Sequence, residues 1–246
     1  MPSATQGSSA LLGDQALRAM FEARKSVFID LLKWDVPVLD GRFEMDQFDD
    51  EHAHYLILTT PQGEHLGSAR LLPTERPHIL GDLFPQLCAG PVPRGRHIME
   101  ITRFCLSRGL RAAERRRVRD RLVHSLVRYA LDNDIRIYTG VADTPWLKQI
   151  LGFGWRCRPL GVPMRVGNHD LGALRIEIDP ATPQEIEPDP LIDHERHDAG
   201  DDEHGEAVHD HGKRCYPQRC GRQHMVGMGA RVIEHRRVLE RHQHRD

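Results

Sequence analysis

Charged side chains occur inside otherwise apolar segments at several positions of this 246-residue sequence. Arg24 lies on the apolar stripe of the first predicted helix, four residues before Phe28. Arg70 lies in the string GSARLLP, and Glu100 and Arg103 lie in HIMEITRFCLS. An unpaired charge that faces a core is very costly, so each of these groups needs an oppositely charged partner or access to water.

Carboxylates that can pair with these arginines lie in the string EMDQFD, residues 44–49. This string belongs to a long predicted loop, and loops of such length inside a compact domain are usually functional. Each residue alone also permits a plain interpretation, as a snorkelling arginine or a solvated acidic turn. Together the pattern predicts one internal network of Arg24, Arg70 and Arg103 with Asp46, Asp49 and Glu100.

Glu100 and Arg103 set a geometric condition for this network because they lie in one predicted strand. Side chains alternate between the two faces of a sheet, so residues three apart point in opposite directions. A shared site therefore requires a β-bulge between them. Cys105 follows in the same strand, and we expect it to be a small core residue because no histidine lies near it in the sequence.

Apolar periodicity and turn residues predict the elements that position these groups. A helix is predicted from Asp14, as its N-cap, to Trp34, and a second one from Arg111 to Asn133. The other predicted elements are a hairpin of 54–60 and 65–73, a short helix or turn over 79–87, strands at 97–107, 135–143, 155–161 and 171–179, and a short helix at 144–153. Strands on both sides of a central helix indicate an α/β sandwich with one mixed sheet.

Composition limits the class of protein. The formal net charge is -2 and the pI is about 6.8, so no global basic field points to nucleic acid. No run of about 18 apolar residues is present, so no membrane insertion is predicted. The first residues lack the pattern of a signal peptide, and five cysteines without one favour reduced thiols in a cytoplasm.

The composition changes after about Asp179, where apolar residues become scarce. We therefore predict one domain over residues 1–180 and a tail over 181–246 that is mostly disordered, with a short helix possible from Ala230 to Arg241. A metal-binding tail is an alternative. Its candidate ligands are His194, His197, His204, His209, His211, Cys215 and Cys220. Their spacing is irregular, and no metal is expected.

Several strings of the chain resemble the LuxI family of acyl-homoserine lactone synthases in order and spacing. These strings are FEARKSVFIDLLKW, EMDQFD, HYLIL, GSARLLPTERPHIL, DLFP and EITRF. The resemblance covers roughly Leu17 to Ile178, and Thr102 replaces a serine that many members carry. The matching signature residues are Arg24, Phe28, Trp34, Asp46, Asp49, Arg70, Phe84, Glu100 and Arg103. The family has a GNAT-like fold, a three-layer sandwich with a mixed β-sheet.

This resemblance implies acyl transfer from acyl-acyl carrier protein to the amine of S-adenosylmethionine, followed by lactonisation that releases 5′-methylthioadenosine. S-adenosylmethionine is then a substrate, and no cofactor is implied. Glu100 is implied as the general base, directly or through water. Asp46 and Asp49 would order the loop and the pocket.

Further roles follow from the same resemblance. Arg24, Arg70 and Arg103 would balance the acids, and one of them could hold the substrate carboxylate. Phe28 and Trp34 would form the wall of the adenosylmethionine pocket, with Arg103 beside them. Each of these residues also permits plain core packing, which we favour for Phe84.

The resemblance also requires an apolar tunnel for the acyl chain and a surface for the carrier protein. Tunnel candidates are Met99, Leu122, Leu126, Thr139, Val141, Trp146, Leu147 and Ile150. The hydroxyl of Thr139 could bind a 3-oxo or 3-hydroxy group. The carrier, an acidic protein, would dock on Arg115, Arg116 and Arg119 at the start of the central helix.

A GNAT-type N-acyltransferase that uses acyl-CoA is the alternative function. Such enzymes bind the pyrophosphate on backbone amides of a glycine-rich loop at a helix start. The corresponding stretch here, Ser107 to Ala113, contains the single glycine Gly109. This departure disfavours the CoA alternative but leaves it open.

Overall fold

The first helix begins at a side-chain cap and ends at the candidate site. The computed structural model describes residues 14–185 and 229–234 of the chain. Helix α1 spans Gln15–Arg24, and the Asp14 carboxylate accepts hydrogen bonds from the backbone N–H groups of Ala16 and Leu17 at 2.8 and 3.3 Å. This contact satisfies donors that the first helical turn leaves without partners.

The helix continues beyond Arg24 as a π-helix over Lys25–Leu31. The N–H of Leu32 donates to the carbonyl of Val27 at 2.9 Å, a bond that spans five residues instead of four. The helix predicted up to Trp34 is therefore confirmed only as far as Leu31, and its second half has a different hydrogen-bond spacing from the one expected. π-Helical turns are rare and often occur at functional sites.

The remaining helices and strands follow in an alternating order. The helical segments are α2 Ile79–Asp82, a 3₁₀ turn at Pro85–Leu87, α3 Ala112–Asp132, α4 Thr144–Leu151 and α5 Thr182–Glu185. The strands are β1 Val38–Leu39, β2 Phe43–Glu44, β3 His54–Thr59, β4 His65–Pro73, β5 Ile98–Leu106, β6 Ile137–Asp143, β7 Arg156–Pro159, β8 Met164–Val166, β9 His169–Glu177 and β10 Gly229–Glu234. Among the described helices, none is long and apolar enough to cross a bilayer.

The main sheet is mixed, as the sequence predicted. Its eight strands run in the order β10-β3-β4-β5-β6-β9-β7, with β8 paired to β9, while β1 and β2 form a separate ribbon. The pair β5–β6 is parallel and the other pairs are antiparallel. Helix α3 covers one face through a core that includes Leu71 and Leu122, and α1 covers the other through Phe21 and Tyr55. The result is the GNAT-like three-layer sandwich that we expected.

The parallel pair β5–β6 separates partway along its length. Its ladder joins Ile98–Glu100 to Ile137–Thr139 and then stops, although β5 continues to Leu106 and β6 to Asp143. At Gly140 the strands still lie close, because a Cβ there would be 3.2 Å from the carbonyl oxygen of Ile101. Beyond this point the sheet opens, immediately after Glu100.

The C-terminal part of the chain adds one strand to the sheet. β10 pairs antiparallel with β3, in a register that runs from Gly229 opposite Thr59 to Glu234 opposite His54. The short helix that we considered possible at 230–241 is therefore wrong for residues 230–234, where the edge of β3 offers unpaired backbone groups. Residues 235–241, residues 186–228 and all the candidate metal ligands of the tail lie outside the described residues.

The N-terminal end of the tail continues the described domain. Helix α5 lies just beyond the predicted boundary at residue 180, and its Thr182 is buried. The backbone N–H of Thr182 donates to the Asp179 carboxylate at 3.1 Å. The described part of the chain thus includes a short helix just after residue 180.

Candidate active site

Arg24 is the first member of a buried network of ion pairs. Its Nε donates to Oε2 of Glu44 at 2.5 Å, and its two terminal nitrogens donate to the two oxygens of Asp49 at 2.8 Å each. The side chain of Arg24 is 1% exposed, and those of both acids are fully buried. Two-point contacts of this kind are among the strongest hydrogen bonds in proteins.

Arg70 connects the two aspartates and the neighbouring strand. Its terminal nitrogens donate to the oxygens of Asp46 at 2.6 and 3.0 Å, and Nη1 lies 2.8 Å from Oδ1 of Asp49. Its Nε donates to the hydroxyl of Thr102 at 2.9 Å. The Thr102 hydroxyl, which a serine at this position would also supply, is thus part of the network.

Arg103 reaches the same network from an irregular position in β5. Ser68 lies opposite Cys105 and Arg70 opposite Thr102, so two residues of β5 face one residue of β4. Arg103 has a φ of 50°, in the left-handed region. The predicted β-bulge is confirmed, and its conformation is uncommon for a residue other than glycine.

The bulge directs the Arg103 guanidinium toward two acids. It donates to Oε1 of Glu44 at 3.0 and 3.1 Å and to Oδ2 of Asp46 at 2.6 Å. With these contacts every guanidinium of the network has at least one carboxylate partner. Three positive and three negative groups then balance, which such a buried cluster requires.

Glu44 is a central member of this network that the sequence interpretation missed. It bonds both Arg24 and Arg103, and its side chain is fully buried. We had predicted Glu100 as the third acid, and that assignment is wrong: among the described residues, no ion pair joins Glu100 to an arginine. The sequence did contain a signal for Glu44. It follows Phe43 and lies two residues before Asp46, and side chains of an extended segment alternate, so both acids lie on one side.

Glu100 is bound by backbone groups instead. Its Oε1 accepts the N–H of Leu80 at 2.8 Å, at the start of α2, while its Oε2 is buried and has no partner. Burial raises the pKa of Glu100 to about 7, although the N–H groups of Leu80 and Ile79 and the charge of Arg70 act in the opposite direction. A carboxyl group with a pKa near neutrality is suited to proton transfer.

Thr139 lies beside Glu100 at the end of the parallel ladder. The two residues are opposite each other in register, so their side chains point to the same face. The hydroxyl of Thr139 is also buried without a partner. Unpaired buried polar atoms are rare in proteins, and two adjacent ones indicate a place for a bound polar group.

Two aromatic rings border the ion network. Phe28 and Trp34 stack with their centroids 4.7 Å apart and their planes at 23°. The Arg103 guanidinium lies 5.6 Å from the Phe28 centroid and 5.7 Å from that of Trp34. The structure therefore brings the predicted pocket residues Phe28, Trp34 and Arg103 together.

The tunnel candidates divide between the two faces of the sheet. Thr139 and Val141 lie on the face of Glu100, and Val141 packs against the clusters on that side. The others belong to or pack against the core beneath α3: Met99, Leu122, Leu126, Trp146, Leu147 and Ile150. A chain that contacts members of both groups has to pass through the opening between β5 and β6.

Two residues that we expected to be ordinary core are found in apolar surroundings. Phe84 is partly buried and packs against two clusters on the Glu100 face. Cys105 is buried, and burial raises the pKa of its thiol to about 12. A thiol that remains protonated is a poor nucleophile, so Cys105 is unsuited to a covalent intermediate.

The candidates for carrier docking differ in their contacts. Arg115 donates to the carbonyl of Ser107 at 3.1 Å. Arg119 binds Asp120 at 2.7 Å and lies 5.1 Å from the ring of Phe153. Arg116 is exposed. No group of side chains that could hold a metal ion occurs among the described residues.

Comparisons of the sequence with known proteins identify its family. The family model of the autoinducer synthases matches residues 8–186. An acyl-homoserine-lactone synthase of Ralstonia nicotianae is 34% identical over 170 residues, which cover 67% of this chain and 83% of the relative. One of Pseudomonas aeruginosa is 30% identical over 172 residues, covering 68% and 84%.

Solved structures show the same fold. The acyl-homoserine-lactone synthase LasI superposes with a TM-score of 0.63 at 28% identity and covers 70% of this chain and 87% of its own. BjaI, a CoA-dependent acyl-homoserine lactone synthase solved with MTA, gives a TM-score of 0.64 at 26% identity over 70% and 82%. The fold is that of the acyl-homoserine-lactone synthases, a class of acyltransferases. The chain belongs to the autoinducer synthase family, and its activity is that of an acyl-homoserine-lactone synthase.

Proposed function

We propose that this synthase transfers the acyl group of an acyl-acyl carrier protein to the amine of S-adenosylmethionine and then forms the lactone. The observation that carries the proposal is Glu100, a buried carboxyl group with a pKa of about 7, one oxygen fixed by Leu80 and the other unpaired. A structure of the related BjaI with SAM and isopentyl-CoA supports the choice of amine substrate.

Glu100 acts as the base in the first step. The amine of S-adenosylmethionine is an ammonium ion in water and has to lose a proton before it can attack. The unpaired Oε2 accepts that proton, directly or through a water molecule. The amine nitrogen then bonds to the thioester carbonyl carbon and gives up a second proton, the carbon–sulfur bond breaks, and the carrier leaves as a thiolate that takes up that proton.

The second step needs no further base. An oxygen of the methionine carboxylate attacks the carbon next to the sulfonium, and the bond from that carbon to sulfur breaks. The products are the acyl-homoserine lactone and neutral 5′-methylthioadenosine. No external cofactor is needed for either step, because the sulfonium is itself the leaving group.

Arg103 is the arginine best placed for the substrate carboxylate. Its side chain is 8% exposed, whereas those of Arg24 and Arg70 are 1% and 0% exposed and are bound on several sides. Phe28 and Trp34 next to it offer aromatic faces for the adenine or the sulfonium. Asp46 and Asp49 hold the arginines and the loop in position.

We propose a carrier protein as the acyl donor because the start of α3 has few glycines and several exposed arginines. The loop before it contains one glycine, Gly109, and lacks the glycine-rich amides that cradle a pyrophosphate. Arg111, Arg116 and Arg117 are exposed there, a basic surface that attracts an acidic carrier. Arg115 and Arg119 would contribute charge at its border, since both have internal partners.

The acyl-CoA alternative keeps support from relatives. BjaI and MesI are CoA-dependent synthases of similar structure. The acyl chain would in either case extend from Glu100 through the opening between β5 and β6 and contact the tunnel candidates on both faces. The unpaired hydroxyl of Thr139 is available to a 3-oxo or 3-hydroxy group. We place the reaction in the cytoplasm, where the thiols of Cys88, Cys105 and Cys157 would stay free.

A product assay tests this function. The purified protein is supplied with S-adenosylmethionine and either octanoyl-carrier protein or octanoyl-CoA, and the products are measured by mass spectrometry. We expect octanoyl-homoserine lactone and 5′-methylthioadenosine in equal amounts, with the higher kcat/KM for the carrier protein. Thioester cleavage without methylthioadenosine would instead identify an N-acyltransferase.

A further inference from the structure

A row of aromatic side chains stands across the opening between β5 and β6. The rings of Phe104, in β5, and Trp146, in α4, have centroids 5.4 Å apart. Trp146 in turn contacts Phe153 at 5.8 Å. Because β5 and β6 no longer pair at this level, these side chains close the space that the backbones leave open.

The position of Trp146 relative to Glu100 shows where an acyl chain would meet the indole. The ladder between β5 and β6 ends at Glu100, and Phe104 follows only four residues later on the opposite face. A ligand that begins at Glu100 and enters the opening therefore meets the Phe104–Trp146 contact. The ligand meets Phe104 of β5 first and the indole of Trp146 second, because Trp146 belongs to α4, which packs beyond the sheet.

The surroundings of Trp146 suit an alkyl chain and not the polar arm of a carrier. Met99, Leu126 and Leu147 of the same core are 5%, 0% and 4% exposed. The phosphopantetheine arm carries amide groups that would lose their hydrogen bonds in such surroundings, at a large cost. Methylene groups gain by burial there.

The indole itself fills the room beyond Phe104. Its ring centroid lies 5.4 Å from that of Phe104 and 5.8 Å from that of Phe153. Removal of the indole would leave the volume of its side chain to a longer acyl chain. Trp146 therefore occupies room that a longer chain would need.

We propose that Trp146 sets the upper limit of acyl chain length in this synthase, by closing the far end of the acyl site against Phe104. The proposal rests on the proposed function, namely that an acyl thioester reacts at Glu100. Chains that end before the indole fit without rearrangement. Longer chains have to displace it from its contacts with Phe104 and Phe153.

The test compares chain lengths on one carrier. Hexanoyl, octanoyl and dodecanoyl groups are loaded on the same carrier protein, and kcat/KM is measured for the wild type, Trp146→Ala and the control Leu151→Ala. Leu151 lies on the same helix and is 38% exposed. We expect the dodecanoyl-to-hexanoyl ratio to rise at least about tenfold in Trp146→Ala, the effect of one or two methylenes in an apolar pocket, and to be unchanged in Leu151→Ala.

Other outcomes overturn the proposal. An equal change of kcat/KM for all three donors would mean that Trp146 contacts the carrier arm or only supports the fold, and an unchanged ratio would exclude a barrier. Trp146→Leu carries the same prediction should the alanine variant melt below the assay temperature. Absence of lactone from the wild type with every donor would contradict the proposed function instead.

Discussion

Arg24 and Asp49 form a two-point ion pair in which both carboxylate oxygens lie 2.8 Å from guanidinium nitrogens. The pair joins the last α-helical residue of α1 to the loop before β3. Asp49 also accepts the hydroxyl of Tyr55 at 2.9 Å and the N–H of Asp46 at 2.8 Å. One carboxylate thus fixes the helix, the loop and the sheet in the arrangement that the site requires.

Asp49→Asn should strongly destabilise the protein. The change leaves the guanidinium of Arg24 buried with half of its charge compensation, and breaking such a pair costs about 3–5 kcal/mol. Urea unfolding at pH 7 measures the loss. Asp50→Asn is the matched control because Asp50 is the exposed neighbour. A difference below about 1 kcal/mol between the two variants, the range of exposed pairs, would contradict a central role for Asp49.

Acid should weaken the protein through the same network. The adjacent arginines hold the pKa values of Asp46 and Asp49 below their usual range, against the opposing effect of burial. Carboxylates with lowered pKa values stabilise the fold above about pH 4, and that contribution is lost as the pH falls through the folded-state values. We expect the unfolding free energy of the wild type to decrease below pH 4, and less steeply in Asp49→Asn. Parallel curves for the two proteins would count against the assignment.

Glu100 should make the wild type less stable as the pH rises, whereas Asp46 and Asp49 make it less stable as the pH falls. The variant Glu100→Gln tests this effect. Burial raises the pKa of Glu100 to about 7 from 4.5, so the folded state keeps a proton that the unfolded state releases. Its contribution to stability is present at low pH and is lost as the pH rises through 7, by about 3 kcal/mol in total. The variant should therefore gain stability relative to the wild type between pH 5 and pH 8. Unfolding curves at both pH values that show a constant difference would refute this.

Arg103→Lys should impair binding of S-adenosylmethionine more than it impairs folding. Lysine cannot reproduce a planar fork that bonds Glu44 and Asp46 and lies against Phe28 and Trp34. We expect KM for S-adenosylmethionine to rise about tenfold or more, the effect of one lost charge-assisted hydrogen bond. Arg42→Lys, at a 66% exposed side chain, is the control. An unaltered KM would assign the substrate carboxylate to another group.

The sequence was sufficient to predict five of the six members of the ion network, all except Glu44, because an unpaired buried charge is costly in any protein. Arginines on apolar stripes need acids, and the loop string around Asp46 and Asp49 supplied them. Alternation along β5 likewise required the bulge at Arg103, since without it Glu100 and Arg103 could not share a site. Both predictions rest on arrangements that are unfavourable in any protein: a buried arginine without an acid, and two residues three apart on one face of a regular strand.

Features that depend on the meeting of distant segments could not be predicted. Glu44 replaces Glu100 in the network because the β1–β2 ribbon brings it between Arg24 and Arg103. Glu100 is held by a backbone N–H group at α2, a partner that a search for complementary charges does not consider. The division of the tunnel candidates has the same origin, because periodicity indicates burial without saying which face of the sheet a helix covers.

The direct test of the central claim, that Glu100 is the base for the amine, is the pH dependence of kcat/KM with saturating acyl-carrier protein. For the wild type we predict an increase with pH that levels off above about 7, the pKa of Glu100. For Glu100→Gln we predict a rate lower by about 10²–10⁴-fold, the contribution of general base catalysis, without that inflection. A variant that keeps both the rate and the inflection near pH 7 would contradict the account.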